Sequence, residues 1–188
     1  MVRHSPRPRG DVATAAPLPA GGAPLIVTAV LPGDVQAFAD KLRRQHYPPE
    51  RNQVPAHVTL FHSLPPSSEG ELRELLKDSA RCNRPPQARL SGVLRFAGGT
   101  ALEVMSPQLL SLRQDLAERL YGLLSAQDLG VPKLHITIQN KVASAEARAL
   151  QGELESEFPT RDFAFAGLAL HAWRGGPWDH LKSWSFRG

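Results

Sequence analysis

The stretch Pro132-Lys133-Leu134-His135-Ile136-Thr137-Ile138 decides how this chain is read, because it echoes Val54-Pro55-Ala56-His57-Val58-Thr59-Leu60 nearer the N-terminus. Each contains His, an aliphatic residue, Thr and a second aliphatic residue. Side chains two apart on a β-strand share a face, so His57 and Thr59 point one way and Val58 and Leu60 the other. His135 and Thr137 repeat the arrangement, with Ile136 and Ile138 behind them. Each segment reads as a strand whose apolar back meets a core and whose front offers one imidazole and one hydroxyl.

Working outward, Leu25-Ile26-Val27-Thr28-Ala29-Val30-Leu31 is a β-branched apolar run stopped by Pro32-Gly33, and reads as a first strand. Asp34 is placed to cap a helix to about Gln45, with Val35, Phe38, Ala39 and Leu42 on one face, before Pro48-Pro49 end it. Past the His57 strand, Pro65-Pro66-Ser67-Ser68 introduce a second helix striped by Leu72, Leu75 and Leu76. Runs at 88–96 and 100–105 flank Ala97-Gly98-Gly99 as a hairpin. Ser106 and Pro107 mark the start of a third helix carrying Leu109, Leu112, Leu116, Leu120 and Leu123, and Gly130 and Pro132 deliver the chain to the His135 strand. Ser144 is placed to cap a fourth helix, after which 163–173 and 180–186 read as a hairpin around Arg174-Gly175-Gly176-Pro177. The order strand, helix, His strand, helix occurs twice in degenerate form. Mixed strands and helices of this kind predict an α+β architecture with antiparallel sheet.

A chain of 188 residues suits one domain and is long enough to bury a core without staples. Its single cysteine, Cys82, excludes an internal disulfide framework and any multi-cysteine metal site, and fits a reducing, cytoplasmic setting. The formal charge of +4 leans towards an anionic partner, although Arg3, Arg7 and Arg9 supply part of it from the tail. Residues 1–23, rich in Pro, Ala and Gly, read as a disordered basic extension, and 24–188 as the folded domain. No run is long enough to span a bilayer, and the N-terminus lacks the apolar core of a secretory signal.

The paired motifs, in this order over roughly residues 24–188, resemble the 2H phosphoesterase superfamily, which includes 2′-5′ RNA ligase-like proteins and cyclic nucleotide phosphodiesterases and takes its name from two His-x-Thr/Ser motifs. The resemblance implies two pseudo-symmetric lobes with antiparallel sheets flanking a central cleft, helices on the outside, and the two motifs facing each other. It further implies His57 and His135 as catalytic acid and base, in either order, with Thr59 and Thr137 donating hydrogen bonds to non-bridging phosphate oxygens. An imidazole titrates near neutrality, so one can be neutral while the other is charged. The expected activity is metal-independent and cofactor-free hydrolysis of 2′,3′-cyclic phosphates, or reversible formation and cleavage of 2′-5′ RNA linkages. The partners are then RNA ends or nucleotides, with a monomer as the default state. The competing reading is a module that binds RNA ends or nucleotides without turnover.

Continuing the strand period places Phe61 beside His57 and Lys141 beyond His135, as candidates for stacking on a base and for meeting a phosphate. Core packing is the ordinary reading of Phe61, and a solvated strand end that of Lys141. His46, His62, His171 and His180 sit at no spacing typical of metal ligands, so no metal site is expected. Trp173, Trp178 and Trp184 cluster near the closing turn, where one reading is a base-stacking wall and cross-strand packing is the ordinary role for aromatic residues.

Overall fold

A computed structural model describes residues 22–158 and 160–188. Eight strands and four α-helices follow in the order β1 (Leu25–Val30), α1 (Gly33–His46), β2 (Val58–Leu64), α2 (Glu69–Cys82), β3 (Gln87–Phe96), β4 (Gly99–Met105), α3 (Pro107–Arg119), β5 (His135–Asn140), α4 (Ser144–Ser156), β6 (Arg161–Ala164), β7 (Gly167–Trp173) and β8 (Trp178–Ser185). They build two four-stranded sheets, ordered β2-β1-β7-β8 and β5-β4-β3-β6, in which every pairing is antiparallel. The α+β architecture with two pseudo-symmetric lobes is therefore present. Each sheet carries its His strand at one edge, and these edges, β2 and β5, come into contact.

Packing follows the apolar stripes. Leu72, Leu76 and Ala80 bury one face of α2 against β7 and β8, while Ala147, Leu150 and Leu154 seat α4 on β3 and β4. Helix α1 packs on β5, in the opposite lobe from its own sequence neighbours. One continuous core results, running from Leu25 and Val27 through Phe61 to Ile136 and Phe165. No described helix is long and apolar enough to cross a membrane.

Several boundaries differ from the sequence reading. Helix α1 starts at Gly33, so Asp34 lies inside the first turn, where its charge suits the helix dipole, and no side chain caps that end. Ser144 is likewise the first residue of α4 and Ala143 precedes it, whereas Ser106 caps α3 as expected, its Oγ accepting from the Leu109 amide. Leu123 lies beyond α3. Residues 1–21 of the expected extension lie outside the described residues; Ala23 is buried, and Pro24 O accepts from the Trp173 amide.

The largest difference is at residues 163–173, which are two strands on two sheets. β6 pairs with β3 and β7 with β1, and the chain crosses between the lobes at Phe165-Ala166. Both amides of the crossing are satisfied, by Pro86 O and Val30 O, and Phe165 is fully buried. Gly167 opens β7 because a Cβ there would lie 2.2 Å from Trp184 O. An apolar run alone does not reveal which sheet each half joins.

Candidate active site

His57 immediately precedes β2 and His135 opens β5, so each imidazole stands at the start of an edge strand. The local geometry is duplicated. His57 Nδ1 lies 2.7 Å from Pro55 O, and His135 Nδ1 lies 2.7 Å from Lys133 O. A carbonyl only accepts, so both Nδ1 atoms carry a proton, and the Nε2 atoms are the nitrogens left for proton transfer. Among the described residues neither Nε2, and neither the Thr59 nor the Thr137 hydroxyl, has a protein hydrogen-bond partner.

A second duplication follows each Thr. In the first sheet Thr28 pairs with Thr59 and Val27 with Phe61, skipping Leu60; in the second Ala101 pairs with Thr137 and Thr100 with Gln139, skipping Ile138. Each His strand thus has a bulge one residue after its Thr, and a bulge reverses the alternation of side chains. Phe61 and Gln139 turn inwards as a result, at 0% and 2% exposure. Gly99 accommodates the second bulge, since a Cβ there would lie 2.5 Å from Gln139 O.

The surroundings of the two histidines differ. Trp178 lies against His57, ring centroids 4.5 Å apart, and against His171 at 5.6 Å, whereas the edge of Phe96 meets His135 at 5.8 Å. A cavity of about 330 Å³ opens beside His57, walled by Ala29, Ala56 and Ala169 with Trp178, His171 and Ser183 among its polar and aromatic lining. The row Thr59, Thr28, Ala169, Ser183 runs directly across the sheet, so these residues share the face that bears the catalytic candidates. On the other side the register sets Glu103 opposite His135.

Burial pushes the His57 imidazole down to about 4; its bond to Pro55 O opposes this, and the charges of Arg43, His171 and His135 add to it. His171, half-buried and beside His180, is also lowered to about 4 by desolvation, and its Nε2 lies 3.0 Å from the Thr28 hydroxyl. His57 is therefore neutral at pH 7. That His135 is among the charges felt at His57 agrees with the contact between β2 and β5.

Sequence and structure comparisons point one way. The model of the 2′-5′ RNA ligase superfamily matches residues 31–177, most of the chain. The chain belongs to this superfamily. No curated protein matches it by sequence. Among solved structures it is similar to TT0787 of Thermus thermophilus, at 22% identity over 88% of this chain and 98% of that one, with a TM-score of 0.63. It is also similar to E. coli LigT complexed with 3′-AMP, at 20% identity over 89% and 99% of the two chains, with a TM-score of 0.57. At these identities the likeness is one of fold.

Within this superfamily fold the other two candidates fall outside the face shared by the motifs. Phe61 is buried beneath the Arg113 guanidinium, 4.8 Å from its ring centroid, and offers no surface to a base. Lys141 lies past the end of β5 in a left-handed conformation, φ 59°, and is exposed, so the strand alternation that pointed it at the site does not reach it. Two site residues have no clear sequence signal, His171 and Phe96, and Trp178 belongs to a tryptophan cluster for which packing is the favoured reading over a base-stacking wall. Trp178 opens β8 and His171 lies in β7, and only the strand order brings Trp178 to His57 and His171 to Trp178. Trp184 packs on the core, as expected of a hairpin tryptophan. Among the described residues no His, Cys, Asp and Glu cluster is arranged to hold a metal.

Proposed function

We propose that this member of the 2′-5′ RNA ligase superfamily is a metal-independent phosphoesterase acting on 2′,3′-cyclic phosphates or 2′-5′-linked RNA ends. The observation that carries the reading is the duplicated His-x-Thr geometry: two imidazoles with Nδ1 anchored to a carbonyl two residues upstream, on two adjoining strand edges. An in-line displacement at phosphorus needs a base for the attacking oxygen and an acid for the leaving oxygen. His57, neutral by desolvation, is assigned as the base. Its Nε2 takes a proton from water, the oxygen attacks phosphorus, and the bond to one ribose oxygen breaks as His135 Nε2–H protonates it. Glu103, opposite His135, supplies a negative charge beside the proton donor. The Thr59 and Thr137 hydroxyls donate to the non-bridging oxygens as charge develops.

The cavity beside His57 suits a nucleoside next to the reacting phosphate. Its volume is at the lower end of the range for small-ligand pockets, and Trp178 offers an aromatic wall. LigT, which shares the fold, has been crystallised with 3′-AMP, ATP and phosphate, and a nucleotide ligand for this chain is consistent with that.

Hydrolysis of 2′,3′-cyclic nucleotides in excess EDTA, followed across pH for the native protein, His57→Ala and His135→Ala, tests the assignment. Chelator-resistant turnover that falls on the order of 100-fold or more in both variants is expected. Full turnover in either variant overturns it, and binding without turnover in the native protein points to the non-catalytic alternative.

A further inference from the structure

Two arginines, Arg43 on α1 and Arg113 on α3, are each 2% exposed, and no carboxylate lies within ion-pair distance of either among the described residues. A guanidinium taken out of water without a counter-ion is costly. Its five donors must therefore find other acceptors, and the acceptors found are instructive.

Arg43 Nη2 donates to Val54 O at 3.0 Å, three residues before His57, while Nη1 donates to Thr137 O at 2.7 Å, in the second motif. Its Nε reaches Asn52 Oδ1 at 3.1 Å, and Tyr47 lies beneath its plane at 4.3 Å. Arg113 reaches the first motif strand from α3. Its Nε faces Leu60 O at 3.4 Å, the carbonyl of the bulged residue after the first motif, and its Nη2 donates to Asp128 O in the segment leading to β5. The Asp128 carboxylate in turn accepts from the His62 amide at 3.0 Å, from His62 Nδ1 at 2.8 Å and from the Ser125 hydroxyl at 2.9 Å, so that segment is also fastened to β2.

Arg43 thus joins the approach to the first motif directly to Thr137 of the second, while Arg113 joins β2, just past its motif, to the Asp128 turn seven residues before His135. We propose that Arg43 and Arg113 are positioning residues that set the separation of the two His-x-Thr motifs, Arg43 directly and Arg113 through the segment leading to β5, so that a single phosphate is reached from both sides. The inference rests on the two-histidine reading above.

A flexible lysine cannot reproduce the fork. It keeps the charge but cannot hold two carbonyls in one rigid plane. Arg43 is also one of the charges acting on His57, together with His171 and His135, whereas Arg113 is not among them. Charge and geometry therefore separate across Arg43→Lys, Arg43→Met and Arg113→Lys.

The test has two readouts. In the first, inorganic phosphate is titrated into the native protein while the imidazole Cε1–H signals of His57 and His135 are followed. One anion spanning both rings perturbs both with one binding curve. In Arg43→Lys and Arg113→Lys the common curve is expected to weaken by about tenfold or to split in two, with the thermal transition showing that the fold persists. In the second, turnover of a 2′,3′-cyclic nucleotide is expected to fall about 10- to 100-fold in kcat for both lysine variants with KM little changed, since misplacement of about 1 Å has an effect of that order. Arg43→Met alone should also raise the His57 titration. Phosphate curves and kcat unchanged in both lysine variants would overturn the brace. Phosphate that perturbs neither imidazole in the native protein would instead overturn the two-histidine reading.

Discussion

Replacing Trp178 with Ala is the most direct probe of the proposed role of His57 as the base. The Trp178 ring lies 4.5 Å from the His57 ring and 5.6 Å from His171. Desolvation is the largest cause of the low His57 value, about 4 against an ordinary 6.5, and smaller contributions come from Arg43, His171 and His135. Opening the pocket to water removes part of the first cause and leaves the charges in place, so the titration should rise to about 6 without passing its ordinary value. The acid limb of kcat/KM reports the free enzyme. At pH 5 a base of pKa about 4 is roughly 91% unprotonated and one of about 6 roughly 9%, which makes the variant about tenfold slower there. Near pH 8 both forms are neutral and this loss disappears, so any residual deficit measures the lost wall of the nucleoside pocket. The assay is turnover of a 2′,3′-cyclic nucleotide from about pH 4 to 9 in EDTA, with the His57 imidazole titrated by NMR. An acid limb and a titration both unmoved by Trp178→Ala would refute the argument that exclusion of water sets the base.

Two further outcomes follow from burial. Phe61, fully buried at the bulge and covered by Arg113, should behave as a core residue, so Phe61→Ala should cost about 3–5 kcal/mol in urea unfolding; a loss under about 1 kcal/mol would return it to the surface. Both His57 and His171 are held near 4 in the fold while an unfolded histidine titrates near 6.5, so the unfolded chain binds more protons between those values. Stability is therefore full above about pH 6.5 and declines as pH falls towards 4, by at most about 3 kcal/mol per histidine and less after solvent screening. Urea midpoints at pH 7 and pH 4.5 check this, with His171→Gln expected to remove part of the slope; equal midpoints in the native protein would contradict it.

How much of this site the sequence discloses depends on the range of the interaction. The two His-x-Thr motifs are local patterns, and alternation within three residues is enough to place His57 with Thr59 and His135 with Thr137. One residue further on the same rule fails in both halves, because a bulge is a property of two strands and not of one. Phe61 is thus misplaced by extending a valid period across an unseen register shift, and Lys141 by extending it past a strand end in a left-handed turn. The tryptophan at 178 illustrates the other limit. Its neighbours in sequence mark a hairpin, and its contact with His57 exists only because β7 lies between β1 and β8.

The asymmetry between the halves explains how a duplicated motif can perform an unsymmetrical reaction. Duplication alone supplies two equivalent imidazoles, each with Nδ1 tied to a carbonyl and Nε2 left to exchange a proton. Equivalent groups give no preference for which one starts neutral. The first sheet breaks the tie by adding β7 and β8 beside β1, which bring Trp178 against His57 and His171 against Trp178 and so desolvate the first imidazole. The second sheet instead sets Glu103 opposite His135 and leaves Phe96 half in solvent at 46% exposure. On this account the acid and base roles reside in the strands that differ between the lobes. Removing the aromatic neighbour of His57 by Trp178→Ala should therefore raise the His57 titration, whereas Phe96→Ala, at the other imidazole, should leave it unmoved with both motifs intact, which NMR titration of His57 measures directly.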